Sequence, residues 1–332
     1  MQEWTCYLFP KNGSALPGIR GFLLKPSCVQ HAARILQQNR ARVKKECRGF
    51  TQKPCRSSVE GVAFYQTFLS MNVDENGNRY GAVFEEKHFA SGASRYAFRG
   101  KYQGEGPKRD NPCVVKVFKY EYAKNIDCLE ADLGASKKAK MFAQMFCSNY
   151  LMNAGISSNA KSYSIQFLIP LLAKIDDPSK KSMILNHYGI VLSQEYVAIE
   201  PFLDGYYQKF NSNGGFENRA QKVMQTFTHW TWQISGGKFM VADLQGIQLG
   251  KKYYLTDPAI HSIEQLYGPT DLGACGMEMV LRNHQCNEYC KNLGLMNPFA
   301  NHPAGFYIPT RATTYSFQLT EEQRLRNRLA RK

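Results

Sequence analysis

From about residue 61 onward the hydrophobic positions fall into short patterned runs; before it they are broken by Gly13, Pro17, Gly18, Gly21 and Pro26. Ala82-Val83-Phe84-Glu85 and Lys87-His88-Phe89-Ala90 read as strands leading into a glycine-containing turn, Ser91-Gly92-Ala93-Ser94-Arg95-Tyr96-Ala97-Phe98-Arg99. Cys113-Val114-Val115-Lys116-Val117-Phe118-Lys119 is a β-branched strand with a lysine at its centre. Over 128–150 the period becomes helical, with Phe142, Met145, Phe146 and Tyr150 on a core face and Glu130 and Asp132 near the start, where acids suit the helix dipole. Strands return at Ser164–Leu172 and Gly189–Ile199, and Glu200-Pro201-Phe202-Leu203-Asp204-Gly205 then marks a change of direction, read as the junction of two lobes. A second helix is expected over Phe216–Trp230, where Val223, Met224, Phe227 and Trp230 recur at helical spacing. Two short strands follow: Phe239–Ala242 ends on Asp243, and Tyr253–Thr256 ends on Asp257. Strands and helices in this order predict an α+β fold.

The ends differ from the middle. The net charge is +15. Residues 1–60 hold eleven Lys/Arg against three Asp/Glu, and residues 311–332 hold six against two, so only +3 is left for the 250 residues between. Ser27 to Lys45 is expected to form a basic helix with a thin apolar face of Val29, Ile35, Leu36 and Val43. In the tail, Glu321 and Glu322 precede Arg324, Arg326 and Arg328, acids before bases as a helix prefers. Basic ends suit an acidic partner, or are simply solvated surface; a nucleic-acid partner would rest on them alone. No apolar run reaches the roughly 18 residues of a membrane span. The first residues lack the charged and apolar regions of a signal peptide. Ten cysteines are too sparse for a disulfide scaffold, so reduced thiols and a cytoplasmic location are expected.

Three constellations carry chemistry. His284-x-Cys286-x-x-x-Cys290 places three soft donors in seven residues, with Cys286 and Cys290 one helical turn apart. A structural zinc needs four tetrahedral donors, and His229, on a separate helix, is the candidate fourth. The competing reading is a chance cluster of buried thiols. Asp243 and Asp257 at strand ends, with the Gln245 amide oxygen, form an all-oxygen set suited to Mg²⁺; the competing reading is two aspartates that begin turns. Lys116 shares a strand face with Val114 and Phe118, a costly place for an ammonium unless an anion meets it. It would otherwise be an edge-strand lysine that snorkels to water.

Taken together, the run from Phe227 to Cys290 resembles the alpha-kinase family, atypical serine/threonine protein kinases. It comprises Phe227-Thr228-His229-Trp230, Val241-Ala242-Asp243-Leu244-Gln245-Gly246, Leu255-Thr256-Asp257-Pro258, Tyr267-Gly268-Pro269-Thr270-Asp271-Leu272-Gly273-Ala274-Cys275-Gly276 and His284-Gln285-Cys286-Asn287-Glu288-Tyr289-Cys290. The resemblance covers roughly residues 62–297. It implies a two-lobed protein-kinase-like fold, with an antiparallel sheet and a helix in an N-lobe of about 62–200 and a zinc-stapled C-lobe of 201–297. These lie between a basic extension (1–61) and a tail (298–332).

The resemblance also implies roles. Lys116 and Arg95 would meet the phosphates of ATP, and Glu200 the adenine. Gln245 and Asp257 would hold Mg²⁺. Asp243 would orient, or deprotonate, the hydroxyl of a protein substrate. Gly268, Asp271, Gly273 and Gly276 would form a substrate loop. His229, His284, Cys286 and Cys290 would bind a structural zinc. Asp257 also has the chemistry of a carboxylate nucleophile. The chain departs from the family in Asp271, where the family carries Asn, and in a longer gap between Asp243 and Asp257 through Lys251-Lys252-Tyr253. Those departures are what a catalytically weak pseudokinase, or a zinc-stapled binding module, would show.

Overall fold

The computed structural model describes residues 9–10, 22–23, 64–92, 94–119, 126–151, 153–156, 163–176 and 195–300. The expected basic helix at 27–45 and the charged segment at 319–332 lie outside them. The chain divides into two compact units: residues 51–133 with 168–204, and residues 1–50, 134–167 and 205–332.

The first unit is built on one six-stranded sheet. Its strands are β3 (Phe64–Gln66), β4 (Gly81–Ser91), β5 (Arg95–Gln103), β6 (Pro112–Phe118), β8 (Leu171–Lys174) and β9 (Tyr196–Pro201), in the order β3-β4-β5-β6-β9-β8. Every neighbouring pair is antiparallel. β6 is paired on both edges, and both its faces are covered. Cys113, Val115 and Val117 join Phe84, Phe98, Val197 and Ile199 in one cluster, and Phe118 packs with Leu129, Leu172 and Ala198 in another. Leu129 comes from the start of helix α1 (Ile126–Asn149), whose residues up to Leu133 belong to this unit.

The second unit holds the rest of α1 and is packed around a second helix, α2 (Lys222–Ile234). The α2 residues from Val223 to Thr231 are all buried. Trp230 meets Phe142, Phe146 and Tyr150, with ring centroids 6.1, 5.1 and 4.8 Å away. The face of α1 in this core is Ala135, Ala139, Phe142, Ala143 and Phe146, at helical spacing. Met145, expected in it, is exposed, because the face turned to the core runs through Ala135, Ala139 and Ala143 on the other flank of Phe142. Around this core lie a four-stranded sheet, β10 (Tyr207–Lys209), β12 (Gln245–Leu249), β13 (Lys252–Leu255) and β7 (Ser164–Phe167), and the antiparallel pair β11 (Phe239–Ala242) and β14 (Ala259–Ser262). Helices α3 (Gly273–Asn283) and α4 (Glu288–Asn292) follow. Two-residue strands β1 (Phe9–Pro10) and β2 (Phe22–Leu23) pair with each other.

Several expectations change. The single strand at Ser164–Leu172 is two strands in different units, interrupted at Pro170, which has no N–H to give a ladder. A continuous first lobe of 62–200 is replaced by an interleaved division, because residues 134–167 pack on Trp230 and Phe227. Helix α2 starts at Lys222 and not Phe216, since Asn218 closes a turn ahead of it, its Oδ1 accepting from Ala220 N–H. The folded chain also runs past 297: Phe299 is buried with Met240, Met277 and Leu281, under the Arg282 guanidinium. No helix among the described residues is long and apolar enough to cross a membrane.

Candidate functional site

In the first unit, strand register decides where the charged groups meet. Val114 lies opposite Glu200 and Lys116 opposite Ala198, so Lys116 and Glu200 are diagonal neighbours on one face. The Lys116 ammonium lies 2.6 Å from Glu200 Oε2, and both side chains are buried. The edge-strand reading of Lys116 does not survive, since β6 lies in the interior of the sheet. Glu200 lies within β9, not after it. Two charges removed from water persist only with close partners, so this pair is held at a cost that packing alone would not select. Arg95 opens β5, opposite Phe118. Its guanidinium stacks on the Phe118 ring, 4.6 Å from the centroid, and bonds to Asp132 of α1. The sequence left open how the acids at the start of α1 are used; Asp132 serves Arg95.

In the second unit, β11 ends just before Asp243 as expected, β13 ends at Leu255, one residue short of the expected Thr256, and both aspartates adopt left-handed backbone angles, φ +58° at Asp243 and +50° at Asp257. Non-glycine residues rarely hold that conformation, which concentrates at functional sites. At Asp243 it is enforced by its successor. Leu244 N–H donates to Asn211 Oδ1 at 2.9 Å, and the Asn211 amide donates to Gln225 and Thr228 of α2. Besides the backbone N–H of Asn213, the Asp243 carboxylate faces three side chains. Lys209 Nζ lies 2.6 Å from Oδ1, the Gln245 amide donates to Oδ2 at 3.2 Å, and Asp257 is near enough to repel it. Burial, opposed by Lys209, raises its pKa above the ordinary carboxylate value.

With its NH₂ turned to Asp243, Gln245 has its carbonyl oxygen as the remaining ligand atom. That oxygen and the Asp257 carboxylate are hard donors of the type Mg²⁺ takes, and mutual repulsion of the two aspartates is a reason for a cation to sit there. The longer gap between the aspartates is a β-hairpin: Gly246 pairs with Leu255 and Leu249 with Lys252, across a two-residue turn with Gly250 at φ +60°. Thr256 N–H donates to Gln245 O at 3.0 Å, so the hairpin's length does not separate its ends.

The glycine-rich stretch is not an open loop. Gly268–Thr270 is a 3₁₀ turn, and Gly273 and Gly276 lie in α3. Asp271 is buried and accepts four hydrogen bonds, from Ser262 N–H and hydroxyl, Tyr267 N–H and Gly273 N–H. Its carboxylate shapes the turn, the use to which a buried acceptor with four donors is suited. Burial still pushes its pKa up to about 6.

His229, His284, Cys286 and Cys290 present ligand atoms all within 4.8 Å of one another. Cys286 Sγ is 3.7 Å from His229 Nδ1, and Cys290 Sγ is 3.4 Å from His284 Nε2. A tetrahedral zinc with ordinary bond lengths separates its sulfur and nitrogen ligands by roughly 3.5 Å. The other nitrogens are engaged as metal-bound histidines require: His284 Nδ1 lies 3.0 Å from Glu217 Oε1, and His229 Nε2 3.3 Å from Met296 O. The four donors therefore fit zinc. Cys286 lies just ahead of α4 and Cys290 within it; Asn287 caps that helix and so presents Cys290. The six cysteines among the described residues are all free thiols.

Lys209, Asn211 and Glu217 were not singled out from the sequence as parts of a site. A lysine and an asparagine two residues apart in a polar stretch carry no periodic signal, and their use depends on β10 being laid against β12.

A sheet with a buried lysine–glutamate pair, joined in one chain to a second unit with acid-tipped strands and a His/Cys knot, defines a protein-kinase-like α+β protein. The family model of the alpha-kinase family matches residues 90–290. The chain belongs to the alpha-kinase family. It is 33% identical over 219 residues to alpha-protein kinase vwkA of Dictyostelium discoideum, covering 63% of this chain and 31% of that protein. To eukaryotic elongation factor 2 kinase of Caenorhabditis elegans it is 42% identical over 101 residues, covering 30% of this chain and 13% of that protein. It thus spans about a third or less of these relatives. The alpha-kinase domain of myosin heavy chain kinase A, solved with ADP, has the same fold. The TM-score is 0.53 at 24% identity, covering 73% of this chain and 100% of that one.

Proposed function

We propose that this protein is a Mg-ATP-dependent protein kinase that transfers the γ-phosphoryl group to a serine or threonine hydroxyl of a protein substrate. The observation that carries the reading is Asp243: a carboxylate in a rare backbone conformation, beside Lys209, Gln245 and Asp257. Family membership supports the same reading.

Asp243 orients the acceptor hydroxyl and receives its proton; burial, which makes its carboxylate a stronger base than usual, suits that task. Lys209 holds Asp243 in place and adds positive charge where the transferred group passes. In the first unit Lys116, fixed by Glu200, and Arg95, fixed by Asp132, supply cations for the nucleotide phosphates; the adenine contact is assigned to Glu200 on the family resemblance. Gln245 and Asp257 are the residues that would hold Mg²⁺, which when bound neutralises charge on the β- and γ-phosphates. His229, His284, Cys286 and Cys290 would hold zinc as a structural staple; with four protein donors it has no open position for chemistry. Cytosol, which keeps Cys286 and Cys290 reduced, suits that donor set. The substrate loop assigned to residues 268–276 acts through its backbone outline, because Asp271 is turned inward.

The test is phosphotransfer from labelled ATP and Mg²⁺ to a generic basic protein, followed by phosphoamino-acid analysis. Wild-type protein should give phosphoserine or phosphothreonine, and Asp243→Ala none while melting normally. Equal transfer by Asp243→Ala would remove Asp243 from the chemistry, and none by folded wild type would leave the binding-module reading in its place.

A further inference from the structure

His261, on β14, is fully buried and belongs to none of the sites above. Its two nitrogens have fixed and opposite duties. The backbone N–H of Leu272 donates to Nδ1 at 3.1 Å, so Nδ1 must carry the lone pair. Nε2 then carries the proton and donates it to the carbonyl of Asn213 at 2.8 Å. Burial pushes the ring's pKa down to about 4, so this neutral form is the one present near pH 7. The ring's place is also set by shape. A Cβ on Gly276 would lie 2.5 Å from its Cε1, so only glycine on α3 leaves room.

Asn213 is held a second time, its side-chain amide donating to Thr270 O at 3.0 Å. On its other side, the backbone N–H of Asn213 is a hydrogen-bond donor to Asp243. A chain of contacts therefore runs from α3 through His261 and the carbonyl and N–H of Asn213 to the carboxylate that Lys209 also touches.

We infer that His261 is a positioning residue: by holding the carbonyl of Asn213 it fixes the residue whose own N–H meets Asp243, and so sets the orientation of that carboxylate toward the acceptor hydroxyl. The inference rests on the reading of Asp243 as the group that orients the acceptor. The ring itself touches no reactant, so its loss should appear in turnover and not in ATP affinity.

Three variants of the full-length protein test this. His261→Gln keeps an amide N–H able to reach Asn213 O but not the acceptor for Leu272. His261→Asn keeps the acceptor and loses the reach. Gly276→Ala leaves His261 in the sequence and displaces its ring. His261→Asn and Gly276→Ala should lose about ten- to a hundredfold in kcat, as for loss of one positioned hydrogen bond, with KM for ATP within about twofold. His261→Gln should recover most of the turnover although its melting temperature falls as well. Hydrogen exchange at the Asn213 amide should quicken in His261→Asn and Gly276→Ala but not in His261→Gln. Turnover that simply follows melting temperature across the three, or unchanged Asn213 exchange in His261→Asn, overturns the inference. If wild type transfers no phosphate yet the exchange pattern holds, the kinase reading falls and the His261–Asn213 tether stands.

Discussion

Lys209 and Asp243, thirty-four residues apart in the sequence, meet at 2.6 Å because β10 pairs with β12, whose first residue lies two positions after Asp243. The pair is mostly shielded from water, at 19% and 16% side-chain exposure. Removing the ammonium leaves the carboxylate in place without its cation. Lys209→Met should lower kcat by about a hundredfold, the scale of one preorganised charge contact. Steady-state phosphotransfer checks this, with circular dichroism showing an intact fold; an unchanged kcat would remove Lys209 from the site.

Lys116 and Glu200 make a second, more buried pair, and here removal of one partner strands the other. Lys116→Met should destabilise the protein by about 3–5 kcal/mol, the cost of an unpaired buried charge. The double variant Lys116→Met, Glu200→Gln should regain much of that stability, yet still fail to bind ATP. Denaturant unfolding and nucleotide titration separate the two effects. Restored binding in the double variant would argue against the nucleotide role.

The His/Cys knot predicts a metal content of about one zinc per chain, since it offers one four-donor site. Chelation, or Cys286→Ala, should lower the melting temperature and solubility, because metal binding is coupled to folding. Elemental analysis and thermal melts are sufficient; near-zero zinc in well-folded protein would contradict the prediction.

Asp271 gives a pH dependence of unusual sign. Its folded-state pKa, about 6, lies above the ordinary value of 3.8, so the folded protein binds this proton more tightly than the unfolded chain. Stability from this group is therefore gained as pH falls from 7 through 6 toward 4, by about 3 kcal/mol at most, and is absent above pH 7. Asp271→Asn removes the titration while keeping His261 and the zinc ligands in both proteins. The melting temperature of wild type minus that of Asp271→Asn should rise between pH 7.5 and pH 5. A flat difference would mean that the four donors around Asp271 offset its burial.

Much of the fold was legible in the sequence. Lys116 in a β-branched run and Asp243 after Phe239–Ala242 were found because strand period and length are local properties. The His/Cys knot was legible too, three donors by spacing and His229 by lying on a separate helix. What spacing could not give was register. Glu200 meets Lys116 only because Val114, and not Lys116, stands opposite it. Asp271 read as part of a glycine loop, since nothing local reveals that four donors converge on it. The break at Pro170 was missed, because the apolar residues on both sides of it read as one continuous strand.

The hairpin between Asp243 and Asp257 has a practical consequence. Rungs added or removed at its Gly250–Lys251 tip come in pairs, and they leave Gly246 opposite Leu255 at the base. Chain length at that tip is thus free to vary among relatives without retuning the chemistry below it, and a short epitope or fluorophore spliced there would report on the protein from a position insulated from phosphotransfer.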